Sequence, residues 1–313
     1  MIDIFELKLQ ITKDIFMHNN WKPKYVHHFL LELVKPFFVA VLLNFFFVDP
    51  LIAQSGGGNQ FKVMTFNIRY GTANDGENNW QFRKENVAQT IRAFQPDLLG
   101  LQEALKPQID ELVKLIPEYS YIGVGRDDGI NAGEHSCIFF LKDRFIVDST
   151  ETFWFSETPD IVASKSWGND ITRICTWALL RDKFSDKDFY FFNVHLDHES
   201  QPSREKSAEL LMKIINQKSL PVILTGDFNC GDENPAIKKI LSGGLIDSYR
   251  ILNKKQPDEG TFNSFKGKMS GEKIDFIFTT PDFSAKQSEI VRTSYEGKYP
   301  SDHFPITAVI RFK

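Results

Sequence analysis

The sequence predicts an α/β fold in which two packed β-sheets are covered by helices. Three segments carry apolar residues at helical spacing, and many short apolar runs between and after them have the composition of strands. These strand-like runs come in groups rather than in strict alternation with helices, so their order does not fit an alternating βα barrel. Polar residues interrupt or end five of the runs, which is where we expect a functional site.

The first elements follow from local pattern. A strand is predicted over 61–68, where large apolar residues dominate. Trp80 leads into a helix whose apolar positions recur at helical spacing until Pro96 ends it. A short buried strand over 98–101 and a second amphipathic helix over 105–116 complete this part of the chain.

The rest of the chain is predicted to be rich in strands. Pro202 opens a third amphipathic helix, and a fourth, short helix begins near Pro235. Turn-forming segments separate the apolar runs on either side of these helices. The predicted strands lie over 119–124, 137–141, 145–155, 174–180, 189–196, 220–225, 274–278 and 304–310.

Residues 1–54 are predicted to be a leader, followed by a linker over 55–60 and the domain over 61–313. Three lysines precede an apolar stretch over 36–48, and small residues follow it, which is the order of a secretory signal peptide. The stretch is too short and too interrupted for a membrane span of about 20 residues. The leader thus predicts an exported protein, periplasmic or secreted. The alternatives are an uncleaved leader that anchors the chain to the membrane and a start at Met17.

Composition narrows the class of partner. The chain has 313 residues, 42% hydrophobic and 25% charged, which is ordinary for a globular protein, and its formal net charge is −4. A long nucleic acid is usually met by a basic face, and no block of Lys or Arg stands out. The balance slightly favours a small-molecule substrate over nucleic acid, and no protein partner is evident. Three cysteines do not make a disulfide framework, although a Cys137–Cys175 bridge stays open.

Five polar clusters carry the functional prediction. A carboxylate, amide or imidazole at the tip of a buried strand costs stability unless it is paired or binds something. Taken singly, such residues have structural explanations, for example a helix cap or a satisfied core histidine. Five together indicate one metal-and-phosphate site assembled by folding. The clusters are Thr65-Phe66-Asn67, Leu101-Gln102-Glu103, Asn193 to His198, Gly226 to Asn229, and Ser301-Asp302-His303.

Three of these residues are predicted to bind a metal ion. Hydrolysis of a phosphodiester requires that the charge on the phosphate is screened and that the leaving oxygen is stabilised, and a hard divalent cation does both. Magnesium prefers oxygen ligands and keeps several waters, so one or two carboxylates and an amide suffice. We expect Glu103 to be the first ligand, with Asn67 beside it and Asp302 completing the set. Mn²⁺ is the alternative ion.

The remaining polar residues are predicted to transfer the proton of the attacking water and to stabilise negative charge on the phosphate. Asp227 is predicted to take a proton from the attacking water, and Asn229 to donate to a phosphate oxygen or orient that water. His195 and His303, in their protonated forms, would stabilise negative charge on phosphorus. Asp275 is the predicted carboxylate partner that holds the tautomer of His303 and raises its pKa.

In order and spacing these clusters resemble the endonuclease/exonuclease/phosphatase superfamily, the DNase I-like metal-dependent phosphoesterases. The resemblance spans about 61–312 and implies a four-layer α/β/β/α sandwich of two mostly antiparallel sheets, with the site at one end. It implies the roles given above, with the base role divided between Asp227 and a histidine. The sequence around His195, together with 126–129 and 133–134, looks like a bacterial secreted branch of the superfamily.

Four further residues are predicted to contact substrate: Arg126, Asp128, Glu134 and Arg173. Three of them belong to or flank a polar loop too long for a tight turn, and such loops often carry function. For each of the four, a salt-bridged or solvated role is the alternative.

The sequence therefore predicts an enzyme, a secreted Mg²⁺-dependent hydrolase of phosphate esters, with a phosphodiester as the first substrate class. A phosphomonoesterase, or a phospholipid or inositol-phosphate hydrolase, is the alternative on the same scaffold. A non-catalytic binding protein is the rival from another class. That rival would require a lost core residue, and every core position of the motif is present.

Overall fold

The computed structural model describes residues 58–313, so the predicted leader over 1–54 and the first residues of the predicted linker lie outside the described part. Within that part, no helix combines the length and apolar character needed to cross a bilayer. The helices are α1 (Trp80–Phe94), α2 (Lys106–Leu115), α3 (Gln201–Ile215) and α4 (Pro235–Ser242). The strands are β1 (Gln60–Asn67), β2 (Leu98–Ala104), β3 (Tyr119–Ile122), β4 (His135–Leu141), β5 (Phe145–Trp154), β6 (Ile174–Asp182), β7 (Lys187–His195), β8 (Val222–Asp227), β9 (Ile246–Asp247), β10 (Asp275–Thr279), β11 (Phe283–Ile290) and β12 (Ile306–Phe312).

The strands form two six-stranded sheets with matching topology. The first has the order β11-β12-β1-β2-β4-β3, and the second β5-β6-β7-β8-β10-β9. Each contains one parallel pair, β1 with β2 and β7 with β8, and the other pairs are antiparallel. A parallel pair needs a long crossover, and helices α1 and α3 supply it. The carboxyl ends of two parallel pairs therefore meet at one end of the molecule.

Three apolar layers hold the four-layer arrangement together. The first packs α1 and α2 onto the first sheet, the second lies between the sheets, and the third packs α3 and α4 onto the second sheet. Strand alternation separates the layers: Val63 points between the sheets, while Met64 lies under the helices. The predicted α/β sandwich of two mostly antiparallel sheets flanked by helices is confirmed.

The structure contains two strands that the sequence pattern did not predict. Strand β11 lies at the edge of the first sheet and is half polar, because an edge strand exposes one face to water. Strand β9 is two residues long, too short for any periodicity. The strong apolar runs were therefore visible in the sequence, whereas the half-polar β11 and the two-residue β9 were not.

The three cysteines are buried and free. Cys137 packs in the layer between the first sheet and its helices, and Cys175 in the layer between the second sheet and its helices. The side chains face away from each other across the sandwich, so the Cys137–Cys175 bridge that the sequence left open does not form in this structure.

Between the sheets, the apolar layer gives way to buried amides near the end where the parallel strands finish. Gln102 Nε2 donates to Thr65 Oγ1 at 3.0 Å and to Asn193 Oδ1 at 2.7 Å, and Thr225 Oγ1 donates to the same Asn193 oxygen at 3.0 Å. A side chain at Gly100 would collide with this network, since a Cβ there would lie 2.3 Å from Thr225 Oγ1. The network joins the two sheets directly behind the candidate site.

Candidate active site

Four predicted site residues lie at the same edge because of strand direction. Asn67 ends β1, His195 ends β7 and Asp227 ends β8. Strand β10 is antiparallel to β8, so its first residue, Asp275, pairs with Asp227, which also pairs with His195 across the parallel pair. Parallel strands finish at a common edge, and the predicted side chains converge there.

Glu103 reaches the same edge through an irregularity in β2. The register against β4 shifts between Leu101 and Ala104, and Glu103 has a φ of 59°, in the left-handed region. This conformation costs a non-glycine residue about 1–3 kcal/mol, and bulges that redirect a side chain are common next to active sites. The redirected carboxylate accepts from Asn67 Nδ2 at 3.0 Å and from Tyr70 N at 3.1 Å.

The Asn67 amide links the predicted metal ligand to the predicted base. Its Nδ2 donates to Glu103 Oε1 at 3.0 Å and to Asp227 Oδ2 at 2.9 Å, while its Oδ1 accepts from Arg69 N at 3.0 Å. Contact between Asn67 and a metal would use Oδ1, whose second lone pair has no partner among the hydrogen bonds of the described residues. Asn67 therefore has the geometry to orient both carboxylates.

His303 lies between two buried carboxylates. Its Nδ1 donates to Asp275 Oδ2 at 3.0 Å, and its Nε2 lies 3.8 Å from Asp227 Oδ2. Burial by itself would lower the pKa of His303, but the charges of Asp275 and Asp227 outweigh it and raise the pKa well above the usual value. The imidazole is therefore a cation at neutral pH, aimed at the centre of the site.

Asp227 is 1% exposed and has the environment of a general base. Its Oδ1 accepts from the backbone N–H of Asn229 at 2.9 Å. Burial, reinforced by the charge of Asp275, raises the pKa of Asp227 to about 7, while the neighbouring His303 works in the opposite direction. A base with a pKa near the working pH is both available and strong enough to accept a proton from water.

His195 has the opposite charge state to His303. Burial, together with the positive charges of Arg173 and Arg126, lowers its pKa well below the usual value. Protonation of His195, which its predicted role requires, is therefore disfavoured in the free protein. As a neutral ring 3.6 Å from Asp227, it has one N–H to offer to a phosphate oxygen.

Asp302 and Glu103 form the part of the site that fits a divalent metal ion. Asp302 accepts from Ser301 Oγ at 3.2 Å, and the nearest cation is Arg69 Nε at 3.7 Å. Burial raises the pKa of Asp302, and the negative charge of Glu103 adds to the effect. The buried Asp302 and half-buried Glu103 carboxylates repel each other, and with the Asn67 amide oxygen beside them they match the hard oxygen ligands that Mg²⁺ and Mn²⁺ prefer. A second acidic group, Asp227 with Asp275 and His303, places one donor atom of each residue within 4.8 Å of the others.

The predicted substrate arginines lie beside His195, but each is already paired. Arg126 donates to both carboxylate oxygens of Glu134, at 2.7 and 2.9 Å. Arg173 donates to Asp197 Oδ2 at 3.3 Å and also to a ring nitrogen of His198. Arg126, Glu134, Arg173 and His195 line one narrow polar slot. The structure thus brings three of the four predicted substrate contacts next to the site.

The fourth predicted substrate contact, Asp128, is exposed and forms hydrogen bonds within its own loop. Its Oδ1 accepts the backbone N–H groups of Ile130, Asn131 and Ala132 at 2.8–2.9 Å. These bonds lower its pKa and close the loop, which explains the residue without a substrate. Similarly, the Asn229 amide group donates to the Leu196 carbonyl at 3.0 Å, so part of its donor capacity is structural.

Sequence reasoning assigned no role to three residues at this edge. Ser301 donates to the Asn67 carbonyl at 2.7 Å, and Arg69 lies between Asp302 and Asp75. The ring of Phe262 is 45% exposed and lies 5.3 Å from the His303 ring. The adjacency of Ser301 to Asp302 was a usable signal; a lone arginine or phenylalanine in a loop gave none.

The chain is similar to known proteins in sequence and in fold. A sequence profile described as "Endonuclease/Exonuclease/phosphatase family" matches residues 64–303. The crystal structure of an endonuclease/exonuclease/phosphatase from Bacteroides vulgatus is 38% identical, with a TM-score of 0.76, and the match covers 81% of this chain and 99% of that one. The structure of a mannosyl-6-phosphatase from Bacteroides thetaiotaomicron is 36% identical, with a TM-score of 0.74 and coverage of 80% and 99%. Mouse nocturnin is 26% identical over 294 residues, which span 83% of this chain and 66% of nocturnin.

Proposed function

The chain belongs to the endonuclease/exonuclease/phosphatase family, whose members hydrolyse phosphate esters, and we propose that it is an exported Mg²⁺-dependent phosphoesterase with a small phosphorylated substrate. The observation that carries the proposal is the convergence of Glu103, Asp227 and His303 at one edge of the two sheets. The predicted metal ligand Glu103, the predicted base Asp227 and the His303 cation are then within reach of a single phosphoryl group.

The side chains divide the work according to their charge. Asp227 accepts the proton of the attacking water, and Asn67 holds the Asp227 carboxylate towards Glu103. The His303 cation, held by Asp275, stabilises charge that develops on the phosphoryl oxygens, and neutral His195 donates a hydrogen bond to one of them. A divalent ion held by Glu103, Asp302 and Asn67 Oδ1 would supply Lewis-acid stabilisation of the phosphoryl and leaving oxygens.

A phosphomonoester of a sugar is our first candidate substrate. It is supported by the 36% identity to a mannosyl-6-phosphatase, over 99% of that protein. The arginines near His195 are each paired with a carboxylate, and the chain has a net charge of −4, so little positive charge remains for a long polyanion. Both observations support a small molecule rather than nucleic acid.

A phosphodiester, the first prediction from the sequence, stays as the second candidate. A diester carries one negative charge at the phosphate, whereas a monoester carries about two. With Arg126 and Arg173 paired, the positive charge that meets the phosphate would come from His303 and the divalent ion alone, which favours the less charged ester. The two candidates therefore differ in how much positive charge the site must supply.

Export and the magnesium requirement are proposed on separate grounds. The order of lysines, apolar stretch and small residues before residue 55 supports a cleaved signal peptide, and the 38% identity to a Bacteroides vulgatus protein is compatible with a bacterial secreted branch. The all-oxygen donor set supports Mg²⁺, with Mn²⁺ as a substitute. Export is tested by separating the cells that produce the protein into cytoplasmic and exported fractions. Activity found in the cytoplasm would contradict export.

A substrate panel tests the proposed activity. Purified protein is assayed for phosphate release from hexose 6-phosphates and p-nitrophenyl phosphate, and for cleavage of bis(p-nitrophenyl) phosphate and single-stranded DNA. We expect hydrolysis of a sugar monoester that EDTA abolishes and Mg²⁺ restores. Asp227→Asn and His303→Ala should be inactive under the same conditions. Activity that survives EDTA, or that either variant retains, would show that the site is wrongly assigned.

A further inference from the structure

Arg83 on α1 is a buried arginine that binds the backbone of two loops at once. It is 2% exposed, and its guanidinium donates to four carbonyl oxygens. Nη1 donates to Ile68 O at 2.5 Å and to Pro300 O at 3.1 Å, Nη2 donates to Arg69 O at 2.8 Å, and Nε donates to Asn78 O at 2.9 Å. Its planar fork therefore joins the loop after Asn67 to Pro300, which lies 217 residues beyond Arg83 in sequence.

These two loops carry predicted metal ligands. Ile68 and Arg69 directly follow Asn67 at the end of β1, and Pro300 lies two residues before Asp302. A second tie joins the same loops, since Ser301 Oγ donates to the Asn67 carbonyl at 2.7 Å. The separation between Asn67 and Asp302 is thus set by contacts outside their own side chains.

The charge on Arg83 has no carboxylate partner at contact distance among residues 58–313. Burial lowers its pKa to about 10, although the negative charge of Asp302 acts in the opposite direction. A buried, unpaired cation is expensive, and an apolar side chain would pack the same space between Trp80 and Phe265 without that cost. Packing alone therefore does not explain an arginine at this position, whereas four carbonyls to bind and carboxylates nearby do.

We propose that Arg83 is a positioning residue of the metal site: by clamping the loops that follow Asn67 and precede Asp302, it sets the spacing of the ligands and hence the affinity for the ion. The inference rests on the proposed function, because it takes Asn67, Glu103 and Asp302 as the ligands. Lysine keeps the charge, but its ammonium lies one bond nearer the backbone than Nη1, which binds both Ile68 O and Pro300 O, and it has no counterpart of the Nη2 and Nε donors.

The test is Mn²⁺ binding to the full-length protein, followed by the electron paramagnetic resonance signal of free Mn²⁺. Residues that orient metal ligands typically change affinity by roughly 10- to 100-fold when replaced, and we expect a loss of that size for Arg83→Lys. Activity at saturating Mn²⁺ should recover most of the wild-type kcat, because Arg83 does not touch the phosphoryl group.

Arg144→Lys is the matched control. Arg144 is also buried, at 3% exposure, and it also joins distant segments, but at the opposite end of β1. We expect Arg144→Lys to lower the unfolding temperature without weakening Mn²⁺ binding. Unchanged Mn²⁺ affinity in folded Arg83→Lys, or an equal loss of affinity in both variants, would overturn the proposal.

Two further variants keep the test decisive. If Arg83→Lys does not fold, Arg83→Met keeps the packing between Trp80 and Phe265 and removes every donor: weaker Mn²⁺ binding supports the clamp, and unchanged binding overturns it. Glu103→Gln separates this inference from the proposed function. If wild type and Glu103→Gln bind Mn²⁺ equally, the metal site itself is wrong and the inference falls with it; if only Arg83→Lys binds like wild type, the inference alone is wrong.

Discussion

The two ends of the sandwich treat buried charge in opposite ways. At the end where β1 begins, Arg144 donates to Asp182 at 2.8 Å and lies 2.9 Å from Asp97, and Asp182 also accepts from the Ser185 hydroxyl. The Arg144 guanidinium lies over the Phe61 ring, 4.8 Å from its centroid. Arg144 at this end is thus a cation paired with two carboxylates and packed among aromatic rings.

At the end where β1 finishes, about 23 Å further along the strand, carboxylates face each other instead. Asp227 and Asp275 share one cation, His303, and Asp275 Oδ1 is buried with no hydrogen-bond partner. Asp302 has Glu103 nearby and an arginine no closer than 3.7 Å. Burial therefore raises the pKa of the carboxyl groups of both Asp227 and Asp302.

The contrast shows which end of the sandwich contributes to its stability and which end lowers that stability. We call the end with Arg144 and Asp182 the paired end, and the end with Asp227, Asp275 and Asp302 the repelling end. The paired end and the phenylalanines of the inter-sheet layer stabilise the sandwich, whereas the repelling end holds groups that can bind a cation and a phosphate. Substitutions at the two ends should therefore separate activity from stability, and four experiments test that separation.

The largest effect is expected from Asp227→Asn. Loss of the base should reduce kcat by roughly 10²- to 10⁴-fold. Stability should change little, because relief of the repulsion from Asp275 offsets the lost bond to Asn67. Steady-state kinetics on the best substrate and urea denaturation measure the two quantities; a large loss of stability would contradict the comparison.

Asp182→Asn should do the reverse at the paired end. Removing one partner of a buried ion pair costs about 3–5 kcal/mol of unfolding free energy, because Arg144 loses its closest carboxylate. At a temperature where the variant is folded, kcat should equal the wild-type value. A reduced kcat in the fully folded variant would show that the two ends are coupled.

Removal of the metal ion should lower the stability of the folded protein only by emptying the site at the repelling end. An ion present at about 100 times its dissociation constant stabilises the folded state by about 2.7 kcal/mol. We expect Mg²⁺ to raise the unfolding temperature of wild type and of Asp182→Asn, and to have no effect on Glu103→Gln. Differential scanning calorimetry with and without EDTA checks this, and a shift that persists in Glu103→Gln would place the ion elsewhere.

The smallest effect is a shift in the pH–rate profile. Asp227 must be unprotonated to act as the base, so the rate of wild type should rise with pH through about 7. The charge of Asp275 raises the pKa of Asp227, so Asp275→Asn should move this acidic limb to lower pH. The same change lowers the pKa of His303, so the alkaline limb should also move down. An acidic limb that does not move would mean that another group is the base.

Much of this site was visible in the sequence because it depends on strand ends. Asn67, His195 and Asp227 follow or end strong apolar runs, and such runs predict strands from local composition alone. The pairing of Asp275 with His303 also followed from residue chemistry, and the structure places the two 3.0 Å apart. Edge strand β11 was missed because its half-polar sequence lacks that signal.

Other features depend on neighbours that no local pattern reveals. The neutral state of His195 comes from burial and from Arg173 and Arg126, and those arginines are themselves paired with carboxylates. The left-handed conformation of Glu103 belongs to a bulge that exists only against β4.

The sequence by itself determined the helices, all strands except β9 and β11, the layering and the kinds of chemical group at the strand ends, because periodicity and turn chemistry act over a few residues. The tertiary structure alone decided which of those groups share protons and which repel, since these interactions join residues as distant as Asn67 and Asp227, 160 positions apart. Electrostatic energy depends on distance in space and on burial, and both are set only when the two sheets close on each other.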